Sequence, residues 1–273
     1  MKLGLIGCGR VGISIFYLLK KRNKIVGLYD INKKNLARAK KLLKYKKNLK
    51  IDEICKQSDA LFIATPDDKI VKTYKNIRKY ITAPKFIFHF SGSLSSKIIP
   101  KSKNIYRASI HPFATFPEVV LTPRRYFLFF EGDPPALRAV RKIFPKENFL
   151  IKRVNPRLKN RYHLIGVFSS NLLIGYLTLI RDLAKEIGWK DREFYEIVIP
   201  IIESTIKNVK KYGLKDGLSG PLKRGDKGVI KKHLETLRAK KGLNRLYKFL
   251  SSAILNDLVD PKAKKSLLDL FKN

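Results

Sequence analysis

The sequence contains little cysteine, few acidic side chains and no cluster with the spacing of a metal site. Cys8 and Cys55 are its only cysteines, which argues against a disulfide framework and fits a reducing compartment. The four histidines are scattered, so no bound metal is predicted. Residues 1–7 place no basic segment ahead of an apolar stretch, and we therefore expect no signal peptide and a cytoplasmic protein.

Acidic residues are heavily outnumbered, with 22 Asp and Glu against 59 Lys and Arg and a net charge of +37. This balance fits a nucleic-acid or anionic-membrane partner, and it also fits a lysine-rich solvated surface. The basic residues are spread along the whole chain, and no nucleic-acid motif accompanies them. We therefore favour the solvated surface, and expect no specific nucleic acid and no membrane partner.

One glycine pattern organises the amino-terminal half. An apolar run is followed by G-x-G-x-x-G and then by apolar residues at helical spacing, a context typical of a dinucleotide-binding turn. Gly7 permits the sharp turn, Gly9 lets a pyrophosphate approach the backbone, and Gly12 lets the helix pack on the strand. The helix N-terminus offers N–H groups to the phosphates. The turn residues assigned to cofactor binding are Gly7, Cys8, Gly9, Arg10, Val11 and Gly12.

A second predicted strand, residues 24–29, ends at Asp30. Asp30 lies 18 residues beyond Gly12, close to the spacing of about 20 expected for the acid that binds the ribose hydroxyls. Its carboxylate would repel a 2′-phosphate and favours NAD, whereas Lys33 and Lys34 would attract that phosphate and favour NADP. The predicted cofactor is therefore NAD or NADP, with NAD slightly favoured.

Short apolar runs alternate with helical patterns and predict a Rossmann-type, mostly parallel sheet covered on both faces. The seven predicted strands are residues 1–7, 24–29, 60–64, 85–90, 105–110, 126–131 and 149–152. Ligands bind beyond the carboxyl ends of parallel strands, so the segments that follow these strands should converge on one crevice. The additional residues assigned to the cofactor are Thr65, Pro66, Ser91 and Gly92, although the last two also fit a plain turn.

Two histidines close predicted strands, and imidazole suits proton transfer near neutral pH. His111 is the first catalytic candidate, and the alternative is that it only shapes the turn with Pro112. His89 is the second, and the alternative is a position within the strand.

Strand signals stop near residue 153, which predicts a Rossmann domain over 1–152 and an all-α substrate and dimerisation domain over 153–273. Residues 164–180 contain no charged side chain. A membrane span is the alternative, but 17 residues are at the short limit and Ser169, Ser170 and Asn171 lie in the middle. We therefore predict a buried central helix.

Polar residues in this half supply candidates for substrate binding. His163 and Asn171 are eight residues apart on one predicted helix and share a face, so they line a cleft between the domains or are satisfied core residues. Arg224 lies in a G-P-x-x-R-G-D loop, where it binds a substrate carboxylate or phosphate, or pins the loop through a salt bridge.

Three segments resemble a known family: HFSGSLSS at 89–96, HPFATF at 111–116 and SGPLKRGD at 219–226. They resemble proteins that join a Rossmann-like NADP-oxidoreductase half to a C-terminal domain of unknown function. This family lies in the 6-phosphogluconate dehydrogenase-like superfamily, distantly related to pyrroline-5-carboxylate reductase and prephenate dehydrogenase. The resemblance implies a helical second domain that often dimerises, and it supplies no substrate. The proton-transfer lysine of the β-hydroxyacid dehydrogenases is absent, because Val167 and Phe168 occupy its positions.

The resulting hypothesis is an NAD(P)-dependent oxidoreductase that transfers hydride to or from a small, anionic substrate bound between the domains. Its catalytic candidates are His111, His89 and Asn171, and its substrate-binding candidates are His163, Asn171 and Arg224. The alternatives are a non-catalytic dinucleotide sensor or scaffold with a basic partner-binding surface, and a nucleic-acid-binding protein.

Overall fold

The computed structural model describes residues 1–271, which form a first compact unit, Met1–Leu173, and a second that starts at Ile174. The predicted domain boundary at 152/153 falls at the end of the last strand, whereas compactness divides the chain at 173/174, which is 21 residues later.

The first unit alternates strands and helices along the chain. Its elements are β1 (Lys2–Ile6), α1 (Arg10–Leu19), β2 (Lys24–Tyr29), α2 (Lys33–Leu43), α3 (Ile51–Gln57), β3 (Ala60–Ile63), α4 (Asp67–Arg78), β4 (Lys85–His89), β5 (Ile105–Pro112), β6 (Tyr126–Gly132), α5 (Pro134–Ile143), β7 (Phe149–Arg153) and α6 (Lys159–Ser169). All seven predicted strands are present, in one sheet of order β2-β1-β3-β4-β5-β6-β7. Neighbouring strands are parallel except β5 and β6, which confirms the predicted fold class.

Alternation along the central strands builds a core on each face of the sheet. Side chains of a strand point to opposite faces in turn. Leu5 and Phe62 accordingly join the core that contains α1, α2 and α5, while Ile6 and Leu61 join the one that contains α3 and α4. The phenylalanine rings of the first core meet at close range, with the Phe16 and Phe62 centroids 5.2 Å apart. Burial of each such ring stabilises the fold by about 2 kcal/mol, and both faces are covered as predicted.

The apolar stretch 164–180 departs from its prediction. A break at Ser170, where φ is −133° and ψ is −68°, divides it between α6 and α7 (Asn171–Glu186). The Ser169 and Ser170 hydroxyls donate to carbonyls four residues earlier. By length and composition the stretch Pro156–Glu186 could span a membrane, since its most apolar 18-residue window has a mean hydropathy of 1.6, and none of that window is buried. The prediction of a buried helix is therefore wrong for the single chain.

The second unit is helical throughout its described part. After the end of α7 it contains α8 (Asp191–Gly217), α9 (Pro221–Arg224), α10 (Lys227–Thr236), α11 (Lys241–Asp257) and α12 (Pro261–Leu267). Pro200 lies inside α8, but the residue with non-helical backbone angles in this element is Gly213, at φ 80° and ψ 179°. The core of this unit is small, and its fully buried members are Ile230, Leu255 and Leu267.

Candidate functional site

The glycine turn between β1 and α1 has the geometry that each predicted glycine role requires. Gly7 has a φ of +97°, and a Cβ there would lie 2.6 Å from the carbonyl carbon of Ala64. A Cβ on Gly12 would lie 2.8 Å from the Gly7 carbonyl oxygen, so helix and strand meet in close contact. At Gly9 no atom lies within 4 Å of an added Cβ. The turn therefore presents bare backbone to open space at its tip.

The start of α1 is suited to an anion. Gly9 is the N-cap, no side chain caps the helix, and its first turn contains no acidic residue. The first N–H groups of a helix have no partner within it and carry a partial positive charge, so they are available to phosphate oxygens. The Arg10 guanidinium donates to the carbonyl of Pro117 at 2.6 Å, so a structural role accounts for this side chain.

Asp30 lies beside this turn and is directed toward it. One carboxylate oxygen accepts the Cys8 N–H at 2.6 Å, and the other accepts the Asn32 N–H at 2.7 Å. Burial first, and the Asp30 charge second, raise the pKa of the buried Cys8 thiol to about 12, so it stays protonated. Lys33 and Lys34 begin α2 close by and are exposed.

A cavity of about 170 Å³ lies beyond the carboxyl ends of β1, β3, β4 and β5. It brings together four predicted residues that are spread over a hundred positions, namely Val11, Thr65, Ser91 and His111. Pro66 is the N-cap of α4 next to it. Asp67 also lines the cavity and was not among the predicted site residues. Among the described residues that line the cavity, Asp67 is the one with a formal charge, and it accepts from the Ser91 and Ser93 hydroxyls at 2.7 and 2.9 Å.

His111, near the end of β5, is held against α6. Its Nδ1 is hydrogen-bonded to the hydroxyl of Tyr162. Burial, and after it the charge of Lys159 and the neighbouring His163, lower the pKa of His111 to about 4, while Asp67 opposes the shift. Burial also raises the pKa of Tyr162, so its phenol keeps its proton. His111 is thus a neutral imidazole near neutral pH.

Gly92 lets two histidine rings meet. The centroids of His111 and His163 are 6.1 Å apart. A Cβ on Gly92 would lie 2.7 Å from Cδ2 of His163 and 2.8 Å from Cε1 of His111. Gly92 is therefore a packing requirement of the histidine cluster, and no cofactor contact is needed to explain it.

A buried ion pair lies behind this cluster and was not predicted. Lys159 is 2% exposed and Glu131 is 4% exposed, with Nζ 3.7 Å from Oε1. Lys159 also donates to the Ser91 carbonyl at 3.2 Å and to the Ser109 hydroxyl. Burial lowers the pKa of Lys159 to about 8 against the opposing effect of Glu131. The missed signal was the i, i+3, i+4 spacing of Lys159, Tyr162 and His163, which puts them on one helix face.

Of the predicted catalytic and substrate-binding residues, only His111 lines the cavity; His163 meets the His111 ring, and three others lie elsewhere. His89 is fully buried at the end of β4, where Nδ1 accepts the Ser91 N–H at 3.3 Å, and burial and the Lys159 charge lower its pKa to about 3. Asn171 begins α7 and accepts from the Ser170 hydroxyl at 3.1 Å. Arg224, in the second unit, donates twice to one oxygen of Asp226 at 3.0 and 2.8 Å. The loop-pinning alternative therefore accounts for Arg224.

Two family matches cover most of the chain. Residues 1–112 match the family described as a Rossmann-like domain, and residues 126–254 match the domain of unknown function DUF2520. No curated protein matches the chain significantly.

The fold is similar to that of solved structures. BF3122 from Bacteroides fragilis, provisionally assigned as an NADP oxidoreductase, has a TM-score of 0.71 at 19% identity, over 93% of this chain and 97% of its own. TM1727 from Thermotoga maritima has a TM-score of 0.68 at 22% identity, over 97% and 98%. Pyrroline carboxylate reductase from Plasmodium falciparum, solved with NADP bound, has a TM-score of 0.63 at 17% identity, over 100% and 97%.

Proposed function

The chain joins a Rossmann-like domain to a DUF2520 domain, and on this premise we propose that it is an NAD(P)-dependent oxidoreductase. The observation that carries the proposal is the glycine turn, with open space at Gly9 and the Asp30 carboxylate beside it. The names of two structural neighbours, an NADP oxidoreductase and a reductase with NADP bound, support the same class.

The residues of the turn fit a dinucleotide. The N–H groups at the start of α1 hold the pyrophosphate, and Asp30 binds the ribose hydroxyls. We propose NAD as the slightly preferred form, because Asp30 repels a 2′-phosphate that Lys33 and Lys34 would otherwise attract.

The cavity beyond the sheet receives the nicotinamide end and the reacting group of the substrate. When bound, the dinucleotide supplies or accepts a hydride. Asp67 and Ser91 orient polar groups there, and His111 is the side chain that contacts the oxygen or nitrogen of the substrate. Arg224 was predicted to bind an anionic substrate, but its guanidinium is paired with Asp226. That the substrate is anionic therefore stays a prediction, and a substrate screen would test it.

We also propose a cytoplasmic homodimer. Support comes from apolar side chains of α6 and α7 that are exposed in the single chain, including Ile165 at 61%, Phe168 at 65% and Ile174 at 66%. Sedimentation should give twice the chain mass without detergent. A monomer in aqueous buffer, or solubility only in detergent, would contradict this part of the proposal.

Fluorescence titration with NADH and NADPH tests the function. Moderate salt is needed, because a protein of charge +37 binds anions non-specifically when screening is weak. We expect at least one dinucleotide to bind with a Kd below about 1 mM. Gly9→Ala should weaken binding at least about tenfold, since its methyl group enters the space of the pyrophosphate. The φ of −76° at Gly9 suits alanine, so the variant should fold.

Gly228→Ala is the matched control, because Gly228 has equally open surroundings in the second unit. It should bind both dinucleotides like the parent protein. If neither dinucleotide binds, the proposal is discarded. Binding without turnover of any carbonyl, imine or hydroxy acid would instead favour the sensor or scaffold.

A further inference from the structure

The contacts of Tyr162 determine where its proton points. Its ring packs against Phe113 and Phe129, with centroids 5.3 and 4.3 Å away, and these rings offer no hydrogen-bond acceptor. In the part of the chain that the structure describes, Nδ1 of His111 is the acceptor within reach of the hydroxyl. A phenol has a single proton to donate. Tyr162 therefore donates to Nδ1.

The tautomer of His111 follows from this contact. A neutral imidazole carries one N–H, and with Nδ1 acting as acceptor the proton is on Nε2. Nε2 lies 2.9 Å from where a Cβ on Gly92 would be, and the ring lines the cavity. Because Gly92 has no side chain, the Nε2–H remains accessible.

The charges around His111 keep the ring from gaining a second proton. Lys159, Tyr162 and His163 face it from α6, and Asp67 is the group that faces it from α4. Lys159 is buried and anchored to Glu131, Ser109 and the Ser91 carbonyl, so its ammonium cannot move away. Its repulsion and the burial of the ring outweigh the attraction of Asp67.

We propose that Tyr162 and Lys159 are positioning residues that hold His111 as a neutral imidazole whose Nε2–H donates a hydrogen bond to the oxygen or nitrogen of a substrate C=O or C=N group. The inference rests on the proposed function and narrows its substrate class to compounds with such a polar double bond, or to their reduced forms. It also changes the role predicted for His111, because a nitrogen that already bears a proton polarises the substrate and does not act as a base.

Nitrogen-15 NMR of the ligand-free, full-length protein tests the tautomer directly. The shifts of the two ring nitrogens distinguish a bare nitrogen from an N–H. We expect His111 to show a bare Nδ1 and a protonated Nε2 from pH 5 to pH 8. A bare Nε2, or a His111 ring that titrates between pH 6 and pH 7, would overturn the inference. Neither result depends on dinucleotide binding, so this test and the test of the proposed function fail separately.

Two variants test the positioning residues. Tyr162→Phe removes the donor, and both tautomers of His111 should then be populated. Its kcat should fall several-fold with an unchanged KM for the dinucleotide, because a fraction of the rings no longer presents Nε2–H. The double variant Lys159→Met, Glu131→Gln removes both buried charges together. The midpoint of the His111 titration should then move upward by about one pH unit.

Tyr247→Phe is the matched control, because Tyr247 makes the same contact with His233 in the second unit, at 3.0 Å. It should leave the His111 spectrum and kcat unchanged. Unaltered His111 shifts in Tyr162→Phe, or an unmoved titration midpoint in the double variant, would reduce these residues to a purely structural role.

Discussion

Two histidine–tyrosine pairs, one in each unit, share the same contact in different surroundings. In the first unit His111 meets a Tyr162 hydroxyl that is enclosed by aromatic rings, and Tyr162 is 8% exposed. In the second unit His233 is exposed, and the hydroxyl of its partner Tyr247 also bonds Ser251.

The difference shows that the pair itself does not create a site. Water and a second partner leave the His233 contact free to rearrange. At the contact between His111 and Tyr162, burial excludes water and a second hydrogen-bond partner. The nearby Lys159 adds a fixed charge that solvent does not screen. The chemistry therefore follows from what surrounds the two side chains.

The largest effect is expected where a buried charge loses its partner. Lys159→Ala leaves Glu131 enclosed without its cation and should cost about 3–5 kcal/mol of unfolding free energy. Arg192→Ala breaks the exposed pair with Glu196, whose atoms are 2.8 Å apart, and should cost less than about 1 kcal/mol. Urea denaturation of both variants measures the two losses of unfolding free energy. Similar losses would contradict the expected difference between the buried and the exposed ion pair.

The next effect is a loss of stability on acidification. The pKa of His111 is about 4 in the folded protein and near 6.5 when unfolded, so the unfolded chain binds more protons between these values. Stability should fall as pH drops from 6.5 through 4, by roughly 2–3 kcal/mol from this residue. Thermal unfolding across this range should show a shallower decline in His111→Gln. Parallel curves for parent and variant would contradict the lowered pKa.

Replacing glycine by alanine at two positions should change the stability by smaller amounts and in opposite directions. Gly92→Ala forces a methyl group between the His111 and His163 rings and should cost about 1–3 kcal/mol. Gly175→Ala, on α7 with nothing within 4 Å of the added Cβ, should gain up to about 1 kcal/mol from helix propensity. Thermal denaturation gives both values. Destabilisation by both variants would indicate that the space at Gly175 is occupied.

The smallest effect concerns the loop of the second unit. Arg224 and Asp226 form an exposed pair, so Arg224→Ala should change the unfolding free energy by no more than about 1 kcal/mol. A matched Arg224→Lys keeps the charge and loses the double contact. If instead Arg224→Ala raised KM for a substrate strongly while dinucleotide affinity stayed constant, the earlier assignment to substrate binding would be restored.

The fold was largely predictable because its signals are local. Apolar alternation and helical periodicity located all seven strands, and the glycine spacing located the turn beside Asp30. The three motif segments indicated the family that the matches confirm. The predicted burial of the apolar stretch 164–180 was wrong, because hydropathy indicates that a segment is apolar but not whether another part of the same chain packs against it.

The candidate site was predictable only in part. The rule for parallel sheets brought Val11, Thr65, Ser91 and His111 to one cavity. It also suggested His89, which faces the interior, since residues at a strand end alternate in direction. A proton-transfer lysine was sought at 167 and 168, whereas the lysine of the cluster is Lys159, one helical turn before His163.

By itself the sequence determined the order of strands and helices, the bare turn at Gly9 and the acid at the end of β2, because each depends on neighbours along the chain. Only the tertiary structure decided which charges are buried. Glu131 and Lys159 come from different elements, and their protonation depends on solvent exclusion and on partners brought together by folding. The same difference in solvent exclusion separates His111 from His233, which the residue type alone does not distinguish.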